Sequence, residues 1–373
     1  MKGSSRNRSA RTRGARRRTE AGGASDDRRP ASPAVMSHLA PAMISEVYES
    51  YWRFAAERQA VFFRRARAEA PPWTRDSVIG TYKFTNAYRA SDRVSQYLIR
   101  RVIYREDLPK THAEVFFRIL LFKLFNKIET WEMLERALGQ ITFEGYRFER
   151  FNAVLDRAKA AGRQIYSAAY IMPPGAAAYG RPAKHQNNLL MLERMMADRL
   201  PDRLAQANSM QDGFEKLRSY PTIGDFLAYQ FIIDINYSEI TDFSEMEFVV
   251  PGPGARDGLR KCFPDPGGLN EPELIRLMAD IQEREFDRYG LEFESLWGRR
   301  LQLIDCQNLF CEVDKYARVV HPYVSGKTGR TRIKQKFQPT LTPIKPFYPP
   351  KWKLNLKIES GAPPFARPTA TGA

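Results

Sequence analysis

Long apolar runs are missing from this 373-residue chain. No stretch of 18 or more apolar residues occurs, which excludes a membrane-spanning helix. The N-terminus has no apolar core of the kind a secretory signal needs. Cysteine is scarce: Cys262, Cys306 and Cys311 are too few, and odd in number, for a disulfide scaffold. A reducing, intracellular compartment fits that count, cytoplasmic or, in a eukaryote, nuclear. The four histidines are scattered, and Cys306 and Cys311 have no histidine at ligand spacing, so no metal site is expected. The run VSGKTGR holds Gly326-Lys327-Thr328, which has the form of the end of a phosphate-binding P-loop. That loop needs a glycine five residues earlier, where His321 stands, and a preceding strand, which the pattern does not provide. A P-loop kinase domain and a G-x-S-x-G hydrolase are therefore both excluded. Strand patterns are sparse and confined to short pieces near Phe248 to Val250.

What is present in excess is positive charge, +16 overall. Residues 1–30 hold 10 Lys/Arg and 3 Asp/Glu, and residues 321–373 hold 10 Lys/Arg and 1 Glu. The excess thus lies wholly in the two ends, and residues 31–320 are formally neutral. Basic ends raise salt-dependent, non-specific affinity for nucleic acid. The alternative is a solubilising tail.

Residues 1–41 are rich in Arg, Ser, Gly, Ala and Pro without periodicity, and read as a disordered basic tail. From Ile44 apolar residues recur at three and four. Val47, Tyr51 and Phe54 mark one stripe; Val94, Leu98 and Val102 mark another. A strong run covers 115–138, and further helices are expected over 189–196, 275–286 and 301–319. Two Gly/Pro-rich loops, 172–182 and 251–257, interrupt them. The fold expected is all-α: a single multi-helix domain over 42–335, then a Pro-rich basic tail over 336–373. No membrane contact follows from it.

Within that frame the segment YPTIGDFLAYQ, 220–230, reads as a tight turn closed by Gly224 that feeds an apolar helix. Asp242, Glu245 and Glu247 follow about a turn beyond. Hairpin, helix, acid is the layout of a helix-hairpin-helix DNA glycosylase, and such helix starts bind phosphate through free N–H groups. Closely placed carboxylates suit general base work, with helix-capping acids as the alternative. Arg256, in a Gly-rich loop, and Lys261 would clamp a phosphate. In YKFTNAYRASDR, Lys83, Asn86, Arg89 and Arg93 have helical spacing and would share one face, suited to phosphates and a base edge. The alternative there is a solvated face. Asn126, inside an apolar helix, needs a polar partner, whether substrate or protein. In DCQNLFCEVDKY, Asp305, Asn308, Glu312 and Lys315 recur at three and four and would line one face, to orient a polar group or a metal; the alternative is the polar stripe of an exposed helix.

Taken together, YKFTNAYRASDRVSQYLI, FKLFNKIETWE, YPTIGDFLAYQ and DCQNLFCEVDKYARV resemble the helical domain found with 5-hydroxymethyldeoxyuridine (5-hmdU) DNA kinases, itself similar to the alpha-glutamyl/putrescinyl thymine pyrophosphorylase family. The resemblance covers about residues 45–335. It implies a glycosylase-like fold and a part in thymine hypermodification, in which phosphorylated 5-hydroxymethyluracil loses its phosphate to an amine or amino acid. Departures from glycosylase hairpins are a single Gly224, the acid Asp225 directly after it, and Phe226 where lyase-type enzymes carry Lys. A Schiff-base lyase is therefore not expected.

The reading that follows is a transferase-type enzyme acting on DNA that carries a modified thymine base. Asp242 or a neighbouring Glu would be the base, with Asp305 and Lys315 beside it. Lys83, Arg89 and Arg256 would neutralise phosphate, and Asn126, Asn308 and Glu312 would orient the substrate. No cofactor is evident; a co-substrate amine or amino acid is implied. The alternatives are a non-catalytic DNA-binding module working with a separate P-loop kinase, and a monofunctional glycosylase. Convergence of Asp242, Glu245, Asp305 and Lys315 on one pocket would discriminate among them.

Overall fold

Helical periodicity in the sequence becomes helix along most of the chain. The computed structural model describes residues 41–169, 172–340 and 344–362, and among these it contains 16 α-helices, three isolated bridges and no strand. The disordered stretch expected over 1–41 lies outside the described residues except for Pro41. No helix among the described residues is long and apolar enough to cross a membrane.

The first long helix, Glu46–Ala66, begins at Ser45, whose hydroxyl accepts from the Val47 N–H at 3.1 Å. That caps one of the N–H groups a helix start leaves unpaired. Val47, Tyr51, Phe54 and Phe62 share its buried face. Tyr51 and Phe54 meet Phe310 and Tyr316 of the helix Leu303–Val320, which crosses Pro253–Cys262 on another side. That second crossing is close: any Cβ at Gly258 would run into the Phe310 carbonyl, so only glycine fits there.

The hairpin expected at 220–230 is present. Helix Met210–Arg218 turns through Tyr220 and Pro221 into helix Asp225–Asn236. The turn's chemistry is not the expected one. Gly224 is the N-cap in extended geometry, φ −85° and ψ 175°, with open space where its Cβ would be. The left-handed residue is Thr222, at φ 75°. A β-branched residue pays about 1–2 kcal/mol in that region, a cost that glycine avoids. Thr222→Gly is therefore expected to raise stability by about 1 kcal/mol. An unchanged or lower urea midpoint would contradict this.

Several expected elements are drawn differently. The run 115–138 is two helices, His112–Phe125 and Ile128–Leu138, broken where Asn126 turns left-handed at φ 48°. The helix expected over 275–286 is split into Glu271–Asp280 and Gln282–Arg288. The pieces near Phe248 to Val250 form no strand. Pro253 opens a helix rather than closing a loop, so Arg256 is helical, exposed, and paired with Glu271 at 3.0 Å. Pro is well suited to a first helical turn, since its missing N–H would be unpaired anyway.

The segment expected as a Pro-rich tail packs on the helices over part of its length. Tyr348 is fully buried, and its hydroxyl meets Ser91 Oγ at 2.8 Å. Lys351 Nζ donates to the Ser238 carbonyl at 2.9 Å. The guanidinium of Arg299 lies 3.8 Å from the centre of the Trp352 ring.

Candidate functional site

Polar side chains that are buried in an apolar interior must find partners there. Helix Asp225–Asn236 buries Gln230 and Asp234 four residues apart, on one face. Asp234 is entirely buried between two cations. Arg89 Nη1 lies 2.8 Å from one of its oxygens, and Lys123 Nζ 3.1 Å from the other. Arg89 also donates to Gln230 Oε1 at 3.1 Å and to the Tyr237 hydroxyl at 3.0 Å. Lys123 donates to Asn126 Oδ1 at 2.8 Å, and the left-handed turn at Asn126 places that oxygen. Burial pulls Lys123 down to about 8, while the Asp234 charge works against the shift.

A second layer ties residues 85–92 to helix Leu303–Val320. Asp305 Oδ1 accepts from the Arg89 main-chain N–H at 2.8 Å, and Oδ2 accepts from the Gln302 N–H at 3.0 Å, where it closes a capping box. Glu312 Oε2 accepts from the Thr85 N–H at 3.0 Å and pairs with Lys315 at 2.6 Å. Asp92 Oδ1 accepts from the Asn86 N–H at 2.7 Å, and Arg58 Nη2 donates to Asn86 Oδ1 at 2.9 Å. Burial, reinforced by neighbouring Glu245, pushes Asp305 up to about 7. Burial, reinforced by Glu312, does the same to Asp92.

The third part is Glu245. It is 5% exposed. Its Oε2 pairs with Arg299 at 3.2 Å, while its Oε1 is buried without a hydrogen bond among the described residues. A buried carboxylate oxygen without a hydrogen bond is costly; both Asp234 oxygens, held by ion pairs, lack hydrogen bonds among the described residues as well. Arg299 is 22% exposed, so this pair lies nearer the surface than the Asp234 triad.

The expected residues divide accordingly. Asn86, Arg89, Asn126, Glu245, Asp305, Glu312 and Lys315 all enter this network, so two separate sequence motifs do face each other. The helix face expected for Lys83, Asn86, Arg89 and Arg93 does not exist. Residues 82–88 are irregular, Arg89–Ser91 is a 3₁₀ turn, and only Arg93 starts a helix. Lys83 and Arg93 are exposed, the latter facing Glu129 at 3.6 Å. Arg89 is 1% exposed and ion-paired, which removes it as a phosphate contact. Lys261 is buried and held by Asp314 at 2.9 Å, which removes it likewise. Both Asp305 oxygens hold main-chain N–H groups, so it positions its neighbours and is not free to react. Asp242 is 88% exposed and 3.5 Å from Lys351, outside the buried network, and Glu247 is exposed too. Asn308 is half-buried, and Gly224 is exposed at its helix start. Asp234, Gln230, Tyr237 and Arg299 were missed by the sequence reading. The legible signal for the first two was a pair of polar residues four apart in an otherwise apolar helix.

The Gly326-Lys327-Thr328 turn is also accounted for. The main-chain N–H groups of Lys327 and Thr328 donate to the Asp257 carboxylate at 3.1 and 3.3 Å, and so does the Thr328 hydroxyl. These donors hold the protein's own carboxylate.

With this geometry in hand, relatives can be compared. A 5-hmdU DNA kinase of Bacillus phage SP10 is 28% identical over 332 residues, covering 84% of this chain and 49% of that protein. The chain thus spans about half the length of that relative. No solved structure matches. The family described as the helical domain of 5-hmdU DNA kinase matches residues 45–326, a span that includes every residue of the buried network, and the chain belongs to that family.

Proposed function

We propose that this chain modifies 5-hydroxymethyluracil, or its phosphorylated form, in DNA, by displacement at the exocyclic methylene. The observation that carries the reading is Glu245: a buried carboxylate with one oxygen on Arg299 and the other unpaired. In the reaction the nitrogen of an amine or amino acid bonds to the methylene carbon. The carbon–oxygen bond to phosphate breaks, and phosphate leaves with the electron pair. Glu245 Oε1 takes the proton released by the amine, and Arg299 offsets charge on the departing group. The Asp234 triad and Asp305 hold the surrounding segments in place and touch no reacting atom. A base reaches such a site by leaving the stack.

Family membership and the name of the phage relative support DNA carrying 5-hydroxymethyluracil as the substrate class. A phosphorylating step would fall to a separate P-loop kinase, since the Gly326-Lys327-Thr328 donors here are already taken by Asp257. The second reading, a non-catalytic module that presents modified DNA to such a kinase, is favoured by two observations: Asp242 stands exposed and apart from Glu245, Asp305 and Lys315, and the Asp234 triad is closed by ion pairs.

Nucleoside mass spectrometry tests both. DNA carrying 5-hydroxymethyluracil, with and without its phosphate, is incubated with the protein and a panel of amines and amino acids. A new amine-bearing nucleoside from the phosphorylated DNA alone is the expected result. Released free base would indicate a glycosylase, and binding without any new nucleoside would indicate the module.

A further inference from the structure

From Pro322 to Ile358 the chain contains no Asp or Glu. Inside that span Arg330, Arg332, Lys334 and Lys336 occupy every second position. All four are exposed, and no carboxylate pairs with any of them among the described residues. Thr331 and Gln335 are exposed as well, but two apolar residues of the segment turn inward. Ile333 and Phe337 are half-buried and pack on the core. The segment is tied down on both sides. At one end Asp257 holds Lys327 and Thr328. At the other, the Lys83 N–H donates to the Gln335 carbonyl at 3.0 Å, and the Phe337 N–H donates to the Thr81 carbonyl at 2.9 Å. In between, Arg318 Nη1 donates to the Arg332 carbonyl at 3.1 Å.

Alternate residues of an extended segment fall on one side, at a separation of about 7 Å. Phosphates along one strand of a duplex are spaced about 3.4 Å apart along the axis. The strand winds about that axis, so its phosphates lie farther apart along the backbone than this rise, and cations about 7 Å apart suit a run of phosphates on one strand. A merely solubilising tail does not need the anchoring. The anchoring also has a place in the fold: the ribbon is hydrogen-bonded to residues 81–83, directly before the segment that carries Asn86 and Arg89 into the buried network.

We infer that residues 330–336 form a phosphate-tracking ribbon that lays the DNA backbone along the edge of the 81–93 segment. The choice of DNA over RNA rests on the proposed function, and the charge register itself does not depend on it. The ribbon lies beyond residues 45–326, the part of the chain that the family match covers.

The test is the salt dependence of binding to an unmodified duplex, followed by fluorescence anisotropy from 50 to 300 mM salt with the full chain. The variant carries R330Q, R332Q, K334Q and K336Q. Each lost phosphate contact lowers the slope of log affinity against log salt by about 0.9, so the slope falls by about 3 to 4. Affinity near 100 mM salt falls on the order of 100-fold or more. A control variant with R150Q, R157Q, K159Q and R163Q, four exposed cations elsewhere, removes the same net charge and is expected to leave the slope within about 1 of the parent. Equal slopes for ribbon variant and parent, or equal losses in both variants, would overturn the assignment. So would a ribbon variant that loses binding to duplex RNA or to phosphatidylserine vesicles while keeping its DNA slope. Because the probe carries no modified base, failure here leaves the Glu245 chemistry standing, and failure of that chemistry leaves this measurement standing.

Discussion

Asp234→Ala is expected to cost about 3–5 kcal/mol of folding stability, the largest single-residue loss this fold should show. Its carboxylate lies between Arg89 at 2.8 Å and Lys123 at 3.1 Å, and all three side chains are essentially excluded from water. Deleting the acid leaves two cations buried together without compensation. Water has little access to either, and Lys123 can relieve the strain only by giving up its proton, toward which burial already pushes it. The cost is therefore that of an uncompensated buried charge, well above that of one lost hydrogen bond. Urea unfolding at pH 7 measures it, with Arg199→Ala as the comparison. Arg199 pairs with Asp202 at 2.8 Å but is 79% exposed, so its loss should fall within about 0.5 kcal/mol. A loss below about 1 kcal/mol for Asp234→Ala would mean that the triad is not the keystone the geometry implies.

What the sequence made legible follows the same physics. Long helices declared themselves because one face must be apolar, and Glu46–Ala66, Lys184–Ala197 and Leu303–Val320 lie where periodicity put them. The hairpin also announced itself, although its strain lies at Thr222 rather than Gly224. Residues 82–93 were misread because Lys83, Asn86, Arg89 and Arg93 happen to have helical spacing. Their backbone is instead held by side chains distant in sequence: Glu312 on the Thr85 N–H and Asp305 on the Arg89 N–H. Periodicity detects a repeating face and is blind to a segment whose order comes from such bonds. Asp234 escaped for the opposite reason. Its helix is apolar on nearly every side, so a lone acid looked incidental, although burial is what gives it weight. Charge counting located the basic end of the chain but said nothing of its anchoring through Ile333 and Phe337.

Glu245→Gln is expected to lower turnover on phosphorylated 5-hydroxymethyluracil DNA by about 100- to 10,000-fold, with DNA affinity and fold retained. Glutamine keeps the size of the side chain and can still accept from Arg299, but it cannot take a proton from an attacking amine. Asp242→Asn is expected to change turnover by less than about twofold, because that carboxylate is 88% exposed and outside the network. The two substitutions thus reverse the ranking that sequence order alone suggested. Asp305→Asn separates positioning from chemistry. Its carboxylate is raised to about 7, so it is largely protonated below that pH and ionised above it. A raised acid contributes stability that is fully present below its ordinary value near 4 and is lost as pH rises through 7. The parent should therefore lose this contribution between about pH 4 and 7, and Asp305→Asn should flatten that part of the thermal-midpoint profile. Its turnover should fall because asparagine keeps one acceptor oxygen and sets an NH2 donor against the other N–H, of Arg89 or Gln302, and the fall should be accompanied by lower stability. A Glu245→Gln protein that turns over normally would remove the reacting group from the proposal. One that loses fold and activity together would make Glu245 a partner of Arg299 and nothing more.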